Sequence, residues 1–519
     1  MFVRKKNNRS GTVSVVIVCK QSGVYREIHT VGISSDSSEV ATLVLQGKDW
    51  IRRQNASPDM FDTYECEQSE RESAEYVLNN IENILLNGTQ LILNRVYCLI
   101  GFDKINDAIL KDLVVARICR PASKAATVDY LKSHFEEDVY LDKIYRYLDI
   151  LQSTQQTSVQ QISVEHTRKI LEGKIGLVFY DVTTLYFETD YADDLRKPGF
   201  SKDGKHSQPQ IVLGLLVSTG GYPLAYSVHE GNKYEGHTML PVVEDFVKKF
   251  DLKDFVVVAD SGLMNQDNIA ELEAKNYKYI LGAKIKSESK EIKSWIFSLQ
   301  KQDGAFYEYQ KTKQARLIVG YSDNRAKKDR YNREKGIKRL EKEYTTETLT
   351  KDKVNKRGYN KFLEISDDVK VNINYDKIKE DELWDGLKGY MTNTNLPAKM
   401  VYEEYSGLWQ VESAFRVTKG TLELRPMFHF TKKRIKAHIC ICFVAYKVYK
   451  ELERILKIAK INLSVDKVLD IAKTIVTIKV WLPQARKTIS QTMLITDRHN
   501  AIRCLFNEDF WKNDRLRIE

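Results

Sequence analysis

The spacing of apolar residues changes period twice along the chain. Residues 11–19 and 24–32 alternate around a Gly-containing loop at 21–23 and predict a β-hairpin, with helical spacing behind it over 37–53. Five segments at helical spacing follow, 72–86, 104–119, 123–134, 139–151 and 157–172, and Pro121 and the Ser/Thr/Gln-rich stretch 153–158 supply two of the breaks. From 176 the pattern turns to buried strands. Residues 176–188 form one apolar run that meets Asp181 midway and continues as β-branched and aromatic residues, the signature of a strand covered on both faces. Residues 210–217 and 222–228 pair as a hairpin about 218–221, and 238–250 is an amphipathic helix. A second buried strand, 255–259, ends at Asp260 and is followed by a helix at 267–275 and a strand at 277–282.

The order βββαβαβ, three antiparallel strands and then αβ repeats, is that of a ribonuclease H-like α/β core, in which the first and fourth strands are neighbours. Asp181 and Asp260 are then expected side by side. A carboxylate on a buried strand costs several kcal/mol unless a cation or hydrogen bonds offset its desolvation, so each needs a partner, and a metal ion is one candidate.

Residues 283–395 interrupt this core, with short β candidates at 315–321, 361–366 and 369–374. Between them, 325–342 holds nine Lys/Arg against three Asp/Glu. Such a segment is either a solvated helix laced with intrahelical pairs or a nucleic-acid contact. Helical spacing resumes at 401–420 and 434–457. The predicted organisation is a β-hairpin and helix (1–55), a helical region (56–172), the first part of the α/β core (173–282), a mainly β basic insertion (283–395), and the rest of the core with a C-terminal helical region (396–519).

In the 401–420 segment Tyr405, Glu412 and Lys419 recur every seven residues. Seven steps of 100° return to within about 20° of the start, so a continuous helix presents all three in one stripe, roughly 10 Å apart. A phenol, a carboxylate and an ammonium in a row suit a phosphodiester chain, although Glu and Lys also share a face in many purely structural helices. Trp409, Val411 and Phe415 fall on other faces as anchors. Two strand-terminal aspartates together with Glu412 would hold two divalent ions for phosphoryl transfer. Mg²⁺ is the expected species and Mn²⁺ its substitute, because the donors are all oxygen. His429 and His438 lack a third ligand and read as packing or surface residues. Glu188, Asp190, Asp193 and Asp194 read as solvated loop carboxylates.

Composition narrows the class. With 42% hydrophobic and 29% charged residues and no long uncharged apolar run, the chain reads as soluble, cytoplasmic and free of the membrane. Cysteines at 19, 66, 98, 119, 440, 442 and 504 are odd in number, scattered and lack any C-x-x-C pair, so neither a disulfide framework nor a zinc site is signalled. A net charge of +10 permits a polyanionic partner without requiring one.

The chain resembles the DDE transposases of bacterial insertion sequences, in the branch with a Y-x2-R-x3-E-x6-K signature and a β insertion in the catalytic domain. The matching stretches are 180–188, 258–263, 384–393, 405–419, 424–430 and 434–438, with further likeness at 2–6 and 117–124. The resemblance implies a metal-binding catalytic triad of Asp181, Asp260 and Glu412, with Tyr405 and Lys419 on the transposon end. The signature arginine is Leu408 here, which moves its role elsewhere, with Arg416 one candidate. Also implied are cutting and joining at terminal inverted repeats, double-stranded DNA as both end and target, a nucleoid-associated bacterial protein, and a homodimer on paired ends. The departure at Leu408 leaves a hairpin intermediate open. Two other readings compete: a catalytically silent DNA-binding descendant, and a structure-specific nuclease of the same fold.

Overall fold

The computed structural model describes the chain apart from residues 9, 22, 56–59, 106, 202–203, 205, 253, 264–265, 346–353, 356–357, 366–370, 426, 507–509 and 512–519. It divides into two compact units, Met1–Asn83 with Lys479–Ser490, and Ile84–Ile478 with Gln491–Arg517. The first division along the chain falls at 83.

In the first unit the expected hairpin gains a strand from the chain start. Strands β1 (Phe2–Asn7), β2 (Val13–Gln21) and β3 (Val24–Ser34) form an antiparallel sheet in that order. Helix α1 (Ser37–Asn55) lies on one face. There a Cβ on Gly32 would strike Leu43, and the His29 ring stacks on Trp50 at 5.1 Å. Helix α2 (Met60–Asn79) starts and ends earlier than the 72–86 helix predicted, and the chain is extended over Ile81–Leu85.

The second unit opens with helices α3 (Gly88–Ile100), α4 (Ala108–Cys119), α5 (Lys124–Phe135), α6 (Leu141–Thr154) and α7 (Gln156–Ile170). The periodicity missed α3 because its exposed stripe, Arg95, Cys98 and Leu99, holds one charged residue among apolar ones, while polar Thr89 and Gln90 are buried, so polarity does not mark the outer face. An eight-stranded mixed sheet follows. Its strands are β4 (Leu177–Tyr186), β5 (Gln210–Ser218), β6 (Pro223–Glu230), β7 (Val256–Ala259), β8 (Lys278–Ala283), β9 (Phe306–Gln310), β10 (Arg316–Tyr321) and β13 (Leu387–Thr392). They run in the order β9-β10-β13-β8-β7-β4-β5-β6. Strands β4 and β7 are parallel neighbours, as are β7 and β8, and the rest pair antiparallel. Three antiparallel strands followed by two αβ steps is the order expected from the sequence.

The segment 283–395 departs from expectation, being mixed and not mainly β. It carries helices α10 (Lys290–Ser298), α11 (Asp323–Thr345) and α12 (Tyr375–Glu382), and three of its strands extend the large sheet beyond β8. Strands β11 (Leu363–Ile365) and β12 (Val371–Ile373) form a separate pair, and the rest of the predicted 361–366 and 369–374 strands lies partly outside the described residues.

Alternation along the strands feeds two cores. Val178, Tyr180 and Val182 of β4, with Val257 and Ala259 of β7, pack with α8 (Met239–Phe250) and α9 (Gln266–Ala274). Phe179 and Leu185 of β4, with Val258 of β7, join the core that contains α14 (Trp409–Lys419) and the 27-residue α15 (Lys432–Ile458). Helix α15 is the axis of that layer, and α3, α4, α6 and α7 pack around it. Its Lys447 is buried and donates to Ser163 O at 3.2 Å and to Thr167 Oγ1 at 2.6 Å on α7. No helix among the described residues is long and apolar enough to cross a membrane.

The predicted helix 401–420 is two helices, α13 (Ala398–Ser406) and α14, with a tight turn at 407–408. The turn sits against the sheet, where a Cβ on Gly407 would come within 2.6 Å of the Phe179 ring. Glycine at 407 thus permits the close approach.

Candidate active site

Asp181 lies within β4, and Asp260 one residue beyond the end of β7. These parallel strands pair Phe179 with Val258 and Tyr180 with Ala259, so one step further Asp181 and Asp260 come level on strands roughly 4.8 Å apart. Alternation points both toward the face of Phe179 and Val258, the face that α14 covers. Val411, Ala414 and Phe415 press α14 into that core and leave Glu412 exposed on its outer side. Asp181, Asp260 and Glu412 all line one cavity of about 900 Å³. Three carboxylates separated by 79 and 152 positions in the sequence therefore face a common space. Among the described residues no three His, Cys, Asp or Glu side chains already stand close enough to hold an ion.

Two of these acids are held by identifiable contacts. The Asp181 carboxylate accepts the Val182 N–H at 2.7 Å. The Tyr405 hydroxyl donates to Asp260 Oδ1 at 2.7 Å. Tyr405, expected to face a DNA end, is only 4% exposed, and burial together with the adjoining Asp260 charge drives its phenol well above the ordinary range. Gly282 makes room for this contact, since a Cβ there would lie 2.5 Å from the Tyr405 hydroxyl. Tyr405 and Glu412 both line the cavity, Tyr405 from beneath Asp260, whereas Lys419 lies at the end of α14 outside the cavity lining, as does the exposed Arg416. Leu408 is buried at the cavity wall.

Sequence reasoning missed the cations and the aromatic rim. Lys388 on β13 places its ammonium 4.4 Å from the Tyr405 ring centre. Burial and the neighbouring Arg325 pull its pKa down, while Asp260 and Glu412 oppose them. Arg325, at the start of the basic helix α11, and Lys399 also line the cavity. Along α11, Arg325 and Arg339 pair with acids four residues on, as the plainer expectation has it, whereas Arg333 is buried and bidentate to Asp385 outside the helix at 2.5 and 2.7 Å. Trp409, expected to anchor its helix in the core, is instead 62% exposed and lines the cavity. The heptad spacing carried the signal for this, because a residue three before Glu412 shares its face.

The remaining candidates are structural. Asp193 caps the turn at Leu195 and Arg196 and pairs with the Arg196 guanidinium at 2.8 Å. His429 and His438 have ring centres 5.1 Å apart, and burial, reinforced by the nearby Lys124 and Arg117 charges, holds both neutral, His429 at about 4.

Two level aspartates on adjacent strands, a glutamate from a covering helix and a rim of cations make a site suited to a polyanionic substrate. The family comparison agrees in class. Residues 172–447, more than half of the chain, match the transposase DDE domain, and the chain belongs to that family. Among solved structures it is similar to the piggyBac transposase in a synaptic complex with hairpin DNA. The identity is 10% over 70% of this chain and 68% of that one, with a TM-score of 0.37. No curated protein matches.

Proposed function

We propose that this chain is a Mg²⁺-dependent DNA transposase with a ribonuclease H-like core, which cuts and joins DNA at the terminal inverted repeats of an insertion sequence. The observation that carries the reading is the convergence of Asp181, Asp260 and Glu412 on one cavity. Their donor set is entirely carboxylate oxygen, which suits Mg²⁺, with Mn²⁺ as a substitute. When bound, a pair of such ions would activate the attacking oxygen and stabilise the departing one.

The chain's own residues do the rest. Tyr405 fixes the carboxylate plane of Asp260 by its hydrogen bond. Lys388, Arg325 and Lys399 supply positive charge where phosphate would lie, and Lys388 and Arg325 thereby make up for the leucine at 408. Trp409 offers an exposed ring on which a base can stack. Arg416 and Lys419, further along α14, are assigned to the DNA flanking the cut, and two chains on paired ends are the expected assembly.

The test is incubation with labelled duplexes taken from the DNA bordering its coding sequence, with Mg²⁺. Cutting followed by joined products is expected. Cleavage that survives Asp181→Ala or Glu412→Ala would remove those residues from the mechanism. Cleavage without joining would favour the nuclease, and binding without cleavage the silent descendant.

A further inference from the structure

Residues of two stretches that stand outside the lining of the active-site cavity, 117–124 and 429–442, meet in the helical layer around α15. Arg117 sits in the last turn of α4 and Lys124 opens α5, while His438 and Cys442 lie about one turn apart on α15 and His429 in the loop before it. Arg117, Lys124 and His438 are buried, with 7%, 5% and 5% exposure. The charges of Arg117 and Lys124 act on each other or on His429, His438 and Cys442, which places the five groups together. Among the described residues no carboxylate pairs with either cation. Arg117 donates to Ala122 O at 3.1 Å, and Arg434, the next cation along, is already held by Asp149 at 2.8 and 2.9 Å. Cys442 has an anionic form, but burial pushes its thiol up and keeps the proton on sulfur. His438 Nδ1 is buried with no hydrogen-bond partner among the described residues. Cys442 Sγ lies 3.9 Å from Nε2, and a thiol donating there leaves the ring proton on Nδ1, a donor without an acceptor.

We propose that Arg117, Lys124 and His438 form an anion site, separate from the active-site cavity, that takes a phosphate-class oxyanion. A buried cation is costly without a counter-charge, and an arginine cannot shed its proton to escape that cost. The donor set selects the class of ligand. A guanidinium fork, an ammonium and a ring N–H arriving from three helices call for several acceptor oxygens on one small centre with more than one negative charge, which a tetrahedral oxyanion offers and a single carboxylate does not. The start of α5 adds its partial positive charge. Arg120, Ser123, Phe428 and Phe430, in the loops that carry these groups, are exposed, so the site lies near the surface. It shares no residue with the cavity lining and does not depend on the transposase reading. Free phosphate and the phosphate at a strand end present the same group, and the test separates them.

The test is equilibrium dialysis of the full-length chain against radiolabelled inorganic phosphate in a buffer free of phosphate and sulfate. The parent, Lys124→Met and Lys388→Ala are compared, the last because Lys388 lines the cavity. Binding by the parent and by Lys388→Ala is expected, with affinity about 10- to 100-fold lower in Lys124→Met. Without phosphate, Lys124→Met should melt at or above the parent's temperature, because it removes a buried charge that has no partner, and added phosphate should raise the melting temperature of the parent alone. Lys124→Gln serves the same comparison if the methionine variant does not fold. Competition with a 5′-phosphorylated oligonucleotide and its unphosphorylated twin identifies the source. Displacement of the label by the phosphorylated strand alone means that the site accepts strand ends, and displacement by neither means that it takes free phosphate; both uphold the site. Displacement by both strands, no binding by the parent, or binding lost in Lys388→Ala and kept in Lys124→Met overturns it. None of these outcomes bears on whether the chain cuts DNA, so the two readings fail separately.

Discussion

The two faces of the eight-stranded sheet are built from alternate residues of the same strands and have opposite fates. On one, Val178, Tyr180, Val182, Val257 and Ala259 are sealed under α8 in an apolar core. On the other, the pattern that buries Phe179 and Val258 brings Asp181 and Asp260 level on adjacent strands, where α13 and α14 leave a cavity. The same period of two thus serves packing on one side and chemistry on the other. The difference lies in what covers each face, since a carboxylate is tolerated only where solvent, a hydrogen bond or a cation can reach it.

Four measurements would break or sharpen this contrast. The largest effect is expected from Asp181→Ala or Glu412→Ala, which should lower DNA cleavage on the order of 10³-fold or more while leaving the melting temperature close to that of the parent. The opposite outcome is expected under the sealed face. Phe246→Ala should cost about 3–5 kcal/mol in denaturant unfolding, with cleavage per folded molecule unchanged, because it opens a cavity in the core away from the acids. A change of rate without a loss of stability there would mean that the two faces are not separable.

Tyr405→Phe keeps the ring and deletes the hydroxyl that Asp260 accepts. Cleavage should fall by about tenfold, with more Mg²⁺ needed for half-maximal rate, and an unaltered Mg²⁺ requirement would count against the positioning role. The last measurement concerns the helical layer around α15. Burial lowers both Lys124 and Lys447 to about 7. From about pH 7 up to the ordinary lysine range the unfolded chain holds protons that the folded chain does not, so stability should rise with pH across that window. Denaturant midpoints at pH 7 and 9 measure the rise, and Lys447→Met should reduce it.

Much of the site was readable because it obeys local rules. An aspartate inside or ending an apolar strand run stands out against its neighbours, and the order of strands and helices implied that Asp181 and Asp260 would be adjacent, as the β4–β7 register places them. Glu412 stood out through its spacing from Tyr405 and Lys419. Lys388 was invisible for the opposite reason: one lysine in a short apolar strand has no local mark, and it matters only because β13 joins the sheet next to β8.

From the order of residues alone came the periods of the elements, the βββαβαβ succession and the acids that interrupt it, since these depend on steric and solvation preferences within a few positions. Folding in three dimensions added what depends on distant partners. Phe179 approaches Gly407 at the turn between α13 and α14, Tyr405 meets Asp260, and Trp409 opens onto the cavity. Folding also joined strands of the 283–395 segment to the large sheet. Those outcomes turn on close approach between segments more than a hundred residues apart, which no local spacing encodes.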